Sequence, residues 1–172
     1  MGLSASVIYI SEPEVGLKSA VSLGLVKEGA TPLKVADPGF PTDGDVRISC
    51  AKGWSVVMLS MGDDASRLSD LLSTLSKGRK VFFWCTQSTA GLVWFEMHID
   101  GALRRRWGEA EGQVMEQIGE PLPEEHGLVD MTTYESGPIH DEWSMLSLTE
   151  SLTGLSQDDH FENTGPVYAA AS

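Results

Sequence analysis

The carboxyl-terminal part of the chain lacks basic residues. All twelve Lys and Arg residues of the 172-residue sequence lie at or before Arg106, whereas the 65 residues from Gly108 to Ser172 carry fourteen acidic side chains. We call Gly108 to Ser172 the acidic segment, and it accounts for the net charge of −13. A field of this sign repels nucleic-acid phosphates and attracts basic molecules. The charge pattern therefore predicts a basic protein partner and no nucleic-acid partner.

Cysteines and long apolar runs are also scarce. Cys50 and Cys85 are the only cysteines, and both lie in apolar, strand-like runs, which indicates buried free thiols. No apolar run approaches the roughly 20 residues that span a bilayer, and the amino terminus lacks the basic and apolar regions of a secretory signal. We therefore expect a cytoplasmic protein with no membrane partner.

Motifs of several enzyme classes are missing. The sequence has no Gly-x-x-x-x-Gly-Lys-Ser/Thr loop for nucleotide phosphates, and no Gly-x-Gly-x-x-Gly joins a strand to a helix. Gly53-Trp54-Ser55 and Leu59-Ser60-Met61-Gly62 both depart from the Gly-x-Ser-x-Gly turn of serine hydrolases. The sequence therefore predicts a protein that is not an enzyme and needs no cofactor.

Strand and helix patterns along the chain predict one α+β domain over residues 1–172. Alternating and β-branched runs predict a largely antiparallel sheet of five to seven strands. Helical spacing predicts about three flanking helices, near residues 12–28, 64–77 and 141–153. Ser11 has the position of a capping residue for the first helix. Residues 165–172 are expected to form a mobile tail.

Asp100-Gly101 is a strong hairpin signal between two predicted strands. A two-residue turn would place Glu96 opposite Arg105, whereas a three-residue loop would place Glu96 opposite Arg106. We favour the three-residue loop because it keeps the apolar side chains of both strands on one face.

The run Arg104 to Arg106 lies between Trp94 and Trp107, and arginine beside aromatic rings can hold single-stranded nucleic acid. Three bases in a chain of net charge −13 make a poor surface for phosphates. We therefore expect one arginine to pair with Glu96, and the others to be solvated or bridged to the acidic segment.

Histidines and carboxylates lie close in sequence at two places in the acidic segment, and divalent ions accept both kinds of ligand. A small metal-dependent hydrolase is therefore an alternative function. Its candidate ligands are His126, His140, Asp158, Asp159 and His160. No pair has His-x-x-x-His spacing, so the sequence assigns no metal site.

Acids in this segment are interleaved with apolar and aromatic residues, as expected of a binding site for a basic protein. The alternative is a solvated face that only keeps the protein soluble. The candidate contacts, with Tyr134 and Trp143 as anchors, are Glu120, Glu124, Glu125, Asp130, Tyr134, Glu135, Asp141, Glu142, Trp143, Asp158 and Asp159.

Three stretches between about residues 80 and 155 carry a family resemblance. They are Asp100-Gly101-Ala102-Leu103-Arg104, Gly119-Glu120-Pro121-Leu122-Pro123-Glu124-Glu125, and a helix that closes on Leu152-Thr153-Gly154-Leu155. Together they resemble small bacterial immunity proteins of secreted toxins, as in type VI secretion systems. The resemblance implies a cytoplasmic protein that binds and blocks a toxin, and it transfers no catalytic residue. An adaptor or chaperone for a secreted effector is the alternative among binding proteins.

Overall fold

One antiparallel sheet forms the centre of the protein. The computed structural model describes residues 4–35, 39, 41, 44–60, 65–128, 141–162 and 165–171. Their strands are β1 (Ser4–Ile10), β2 (Lys34–Val35), β3 (Asp45–Ala51), β4 (Trp54–Ser60), β5 (Lys80–Gln87), β6 (Leu92–Ile99), β7 (Ala102–Ala110), β8 (Gln113–Ile118) and β9 (Pro166–Ala169). Their helices are α1 (Gly16–Ser22), α2 (Ala65–Leu75), α3 (Glu142–Thr153) and α4 (Gln157–Phe161), with 3-10 helices at Ser88–Ala90 and Pro123–Glu125.

The nine strands lie in the order β2-β9-β3-β4-β1-β5-β6-β7-β8. The predicted α+β class and antiparallel sheet are confirmed, but the predicted five to seven strands were too few. The short strands β2 and β9 extend the sheet beyond β3, with Val167 opposite Arg47. Val167 and Tyr168 are buried. The prediction of a mobile tail is therefore wrong for residues 165–171, because two apolar side chains dock this segment onto β3.

Alternation along the strands places two apolar clusters on opposite faces of the sheet. Tyr9 of β1 belongs to the cluster that α3 covers with Met145, and we call this side the first face. The neighbouring Ile8 belongs to the cluster that α1 and α2 cover with Ala20 and Leu68, and we call this side the second face. Each face therefore has its own core and its own helical layer.

Helix α1 is shorter than predicted. It spans Gly16–Ser22, and its N-cap residue Val15 makes no side-chain cap. The Ser55 hydroxyl on β4 accepts a hydrogen bond from the Val15 amide at 3.0 Å, whereas Ser11 Oγ accepts one from the Lys80 amide. A tertiary contact thus replaces the predicted local cap. The other two predicted helices are confirmed with slightly shifted ends, and α4 is additional.

The β6–β7 hairpin confirms the predicted pairing of Glu96 opposite Arg106 and corrects its cause. The turn has two residues, because Ile99 lies opposite Ala102. A bulge in β7 then makes Arg104 an extra residue and shifts the register by one.

The two thiols are free but differ in burial. Cys85 is buried as predicted, and burial, with a smaller effect of the Glu96 charge, raises its pKa to about 12. Cys50 is exposed, so its predicted burial is wrong. It lies at the end of β3, next to the exposed turn at Lys52 and Gly53. Among the described helices, none is long and apolar enough to cross a lipid bilayer.

Candidate functional site

Three elements of the acidic segment pack together over the first face. They are the 3-10 helix Pro123–Glu125, α3 and α4, and α3 contacts both of the others. Each contains two carboxylates, and none contains Lys or Arg. We call these three elements the acidic layer. The part of the sequence without basic residues thus forms a layer of negatively charged helices on one side of the sheet.

Local signals and apolar contacts both fix α3. Asp141 accepts a hydrogen bond from the Ser144 amide at 2.7 Å, and Gly154 ends the helix with a left-handed φ of 75°. Met145 and Leu148 are fully buried against the sheet. Asp141 therefore serves as a helix cap, and this structural role argues against changing it in a test of partner binding.

Glu125 is a structural residue and not an exposed contact. Arg105 Nε and Nη2 donate to its two carboxylate oxygens at 2.9 and 2.8 Å. The two side chains are only 1% and 5% exposed. Arg105 also donates to the Gly119 carbonyl at 2.9 Å, and its guanidinium lies over the Trp107 ring. The prediction that Glu125 faces a partner is corrected, because its charge is neutralised within the protein.

Asp159 is likewise held by the protein itself. Lys52 Nζ donates to Asp159 Oδ2 at 2.8 Å and to the Gly154 carbonyl at 2.7 Å. The hydrogen bond from Lys52, followed by those from the Ser156 amide and hydroxyl, lowers the pKa of Asp159 to about 2. This predicted contact therefore also joins α4 to the β3–β4 turn, and Lys52 offsets its charge.

The other predicted contacts that the structure describes are accessible. Trp143 is 51% exposed in the first turn of α3. The accessible carboxylates among the predicted contacts are Glu120, which precedes the acidic layer, and Glu124, Glu142 and Asp158, which lie in it. Glu150 is a further exposed carboxylate of α3 that sequence reasoning did not single out. Three predicted contacts lie outside the described residues: Asp130, Tyr134 and Glu135.

A concavity of about 270 Å³ lies beside α4. Its lining consists of Ala51, Asp158, Asp159 and Glu162. Lys52 pairs with Asp159, whereas Asp158 and Glu162 are exposed. Excess negative charge in a small hollow suits a Lys or Arg side chain. Glu162 was not among the predicted contacts, and its place beside Asp158 follows from their spacing of four residues at the end of α4.

A buried polar network occupies the second face beneath α2. His98 Nε2 lies 2.7 Å from Glu96 Oε2, and His98 Nδ1 lies 2.9 Å from Ser73 Oγ. Arg106 and Trp94 each donate to Glu96 at 3.1 Å. Burial would raise the pKa of Glu96, but the hydrogen bond with His98 and the Arg106 charge outweigh it and lower the pKa.

Ser73, His98 and Glu96 have the order of hydrogen bonds found in a hydrolase triad. Glu96 and His98 are completely buried, however, and Ser73 lies inside α2. The concavity beside α4 and a cleft of about 540 Å³ beside Trp54 are both lined by other residues. The geometry therefore favours a network that fastens α2 to β6. The alternation of Glu96 and His98 on one strand was the only sequence signal for it.

Two of the three arginines in the run Arg104 to Arg106 form ion pairs. Arg105 is buried against Glu125, and Arg106 pairs with Glu96 and with Glu116 at 3.0 Å. The predicted pairing with Glu96 and the predicted bridge to the acidic segment are both confirmed. Of the three arginines, Arg104 alone is exposed, so two are withheld from any phosphate.

His160 belongs to the core of the first face. Its Nε2 lies 2.6 Å from the Tyr9 hydroxyl, and its Nδ1 lies 2.6 Å from the Ser156 carbonyl oxygen. Both ring nitrogens are therefore occupied. His126 is exposed, and His140 lies outside the described residues. Among the residues that the structure describes, no three His, Cys, Asp or Glu side chains are grouped closely enough to hold a metal ion.

Comparison with known proteins gives one match. No curated protein and no solved structure is significantly similar to the chain. The model of DUF6928, a family of unknown function, matches residues 22–130, which is more than half of the chain. The matched range runs from the end of α1 past the 3-10 helix Pro123–Glu125 and stops before α3. The chain therefore belongs to the DUF6928 family.

Proposed function

We propose that this protein is a cytoplasmic, non-enzymatic inhibitor that binds a basic protein through the acidic layer. The observation that carries the proposal is that the three helices of the acidic layer carry six carboxylates and no Lys or Arg. Among the described residues, two of these six carboxylates form salt bridges: Glu125 with Arg105, and Asp159 with Lys52. The exposed carboxylates leave a negative field that increases the association rate of a basic partner.

Two local features of the acidic layer could contact a partner in addition to its overall negative charge. Trp143 exposes half of its side chain beside Glu142, and aromatic side chains flanked by polar residues are frequent anchors at interfaces. The hollow beside Asp158 and Glu162 fits one cationic side chain. An apolar anchor and a cation site together would favour one orientation of the partner.

The resemblance to immunity proteins suggests the class of partner, a basic toxin that acts in the cytoplasm on phosphorylated substrates, such as a nuclease. An acidic surface can occupy the cationic active site of such an enzyme as a phosphate does. An adaptor or chaperone would bind through the same surface without stopping an activity. A metal-dependent hydrolase is the less favoured alternative, because His160 and Asp159 are engaged within the protein.

Capture with three baits tests the proposal. The baits are the wild-type protein, the variant E124K/E142K/D158K, whose three positions lie in the acidic layer, and the control E14K/E28K/D70K, which adds the same charge at exposed positions outside the acidic layer. We expect wild type and control to retain the same basic protein from cells that encode the chain, and the test variant to lose it. An equimolar amount of wild-type protein should then stop the nuclease or other activity of the captured protein.

Two results would contradict the proposal. Equal capture by all three baits would show that the acidic layer is only a solvated face. Capture without loss of the partner's activity would favour an adaptor or chaperone.

A further inference from the structure

Strand β8 forms an open edge of the sheet. Among the described residues it pairs only with β7, and it stands last in the strand order. The opposite edge, β2, is two residues long, whereas β8 has six residues. A strand of this length at an edge presents a row of unpaired N–H and C=O groups. Another strand could therefore add to the sheet at β8.

β8 has one of the features that usually protect an edge but lacks others. Bulges, lysine and proline all hinder strand addition in natural sheets; β8 has a bulge at Met115, between the residues opposite Gly108 and Glu109, and contains neither Lys nor Pro. Its one charged residue, Glu116, pairs with Arg106 of β7. Val114, Met115 and Ile118 are 52%, 66% and 39% exposed. An exposed edge with accessible apolar side chains is the kind of site to which an extended peptide can add as an extra strand.

The charges around β8 select a basic occupant. Glu111 precedes the strand, Glu120 follows it, and both are exposed. The acidic segment contains no Lys or Arg, and Arg104 of β7 is the exposed arginine whose backbone adjoins Gly119. A second copy that paired through the same edge would bring like charges together, and each copy carries a net charge of −13. A partner strand with Lys or Arg alternating with apolar residues would match both the acids and the exposed apolar side chains.

We infer that β8 binds an extended, basic segment of the partner as a tenth strand of the sheet. Main-chain hydrogen bonds provide the pairing, Val114 and Met115 contact its apolar residues, and Glu111 and Glu120 contact its basic ones. The chain runs from β8 through Glu120 to the acidic layer, so the edge and the layer adjoin. The inference rests on the proposed function, because it specifies how the same basic partner docks.

Peptides provide the test on the intact protein. The probe is a blocked peptide of about seven residues with alternating lysine and valine, the length of an ordinary strand. A second peptide is N-methylated at every backbone amide, which removes its hydrogen-bond donors and keeps its charge. A third has glutamate in place of lysine. We expect the first to bind and to slow amide hydrogen exchange in β8, the second to bind about tenfold more weakly or less, and the third not to bind.

Two lysine substitutions provide matched protein variants. Met115→Lys puts a charge in the middle of the edge, whereas Leu33→Lys removes a similarly exposed apolar side chain, 61% accessible, before β2 at the other edge. We expect Met115→Lys to weaken the binding of the lysine–valine peptide by about tenfold and Leu33→Lys to leave the affinity for this peptide unchanged.

The outcomes separate strand addition from binding by charge alone. If the N-methylated peptide binds as well as its parent, or if the lysine–valine peptide does not bind, strand addition is overturned while the acidic layer can still bind the partner. If wild type forms a dimer that Met115→Lys dissociates in analytical ultracentrifugation, the occupant of the edge is a second copy and the inference is wrong. Loss of capture by E124K/E142K/D158K, which leaves Glu111 and Glu120 unchanged, tests the proposed function independently of both results.

Discussion

Arg105 on β7 and Glu125 in the 3-10 helix are joined by two parallel hydrogen bonds of 2.9 and 2.8 Å. This buried pair fastens the start of the acidic layer to the first face of the sheet. A charge that loses its buried partner is costly, since neither solvent nor another group replaces the lost interaction. The position of the acidic layer therefore depends on Glu125, which itself belongs to the acidic segment.

Replacing Glu125 by Gln should strongly destabilise the protein. The substitution leaves the Arg105 guanidinium buried without a counter-charge, at a cost of about 3–5 kcal/mol in the free energy of unfolding. Glu124→Gln is the matched control, because Glu124 is more accessible and should change stability by less than about 0.5 kcal/mol. Urea denaturation measures both. Equal stability of the two variants would show that the pair is not important for folding.

Ser73 should behave as a structural residue and not as a nucleophile. Its hydroxyl is directed to a buried histidine, so a fluorophosphonate reagent for activated serines should not label it. Ser73→Ala should cost about 1 kcal/mol of stability through the lost hydrogen bond. Mass spectrometry after treatment with the reagent decides the point, and a covalent adduct on Ser73 would revive the hydrolase interpretation.

Stability should fall in mild acid because of His160. Burial is the main cause of the lowered pKa of His160 in the folded protein. As the pH drops below about 6.5, His160 therefore takes up a proton in the unfolded chain before it does so in the folded protein. The free energy of unfolding then falls by up to about 1.4 kcal/mol per pH unit until the pH reaches the lower pKa of His160 in the folded protein. Unfolding free energies between pH 7.5 and 5 should show this loss in wild type and in His126→Gln. In His160→Gln the slope should be smaller, and an unchanged slope would assign it to other groups.

The two cysteines should differ in reactivity. Cys50 is exposed, whereas Cys85 is 4% exposed and has a pKa of about 12. An aromatic disulfide reagent should therefore modify one thiol rapidly in the native protein and both in denaturant, since the thiolate is the reactive form. Cys50→Ser should remove the rapid reaction. Rapid modification of two thiols in native protein would contradict the burial of Cys85.

Local patterns predicted those features that depend on neighbouring residues. The spacing of apolar residues predicted α2 and α3, and the alternation in β6 and β7 placed Glu96 opposite Arg106. The loop length predicted to cause this register was wrong. The register comes from a bulge at Arg104, which has no clear signal in the sequence. The capping prediction for α1 failed because Ser55, 40 residues away, bonds to the first turn.

Features that depend on distant segments were predicted least well. β9 is a short apolar run that becomes a strand only because β3 offers it an edge. Charge counting predicted an acidic surface but could not tell which acids are neutralised. Glu125 and Asp159 are separated from Arg105 and Lys52 by 20 and 107 residues, and only the fold brings them together.

The most direct test of the central claim is the affinity of the captured basic protein for the three baits, measured by calorimetry at low and moderate salt. We expect E124K/E142K/D158K to weaken binding by about 100-fold, and E14K/E28K/D70K to change it much less, since it alters the same charge away from the interface. Wild-type affinity should also fall as salt screens the charges. Equal losses in both variants would show that net charge alone governs binding, and no loss in either would contradict a role for the acidic layer.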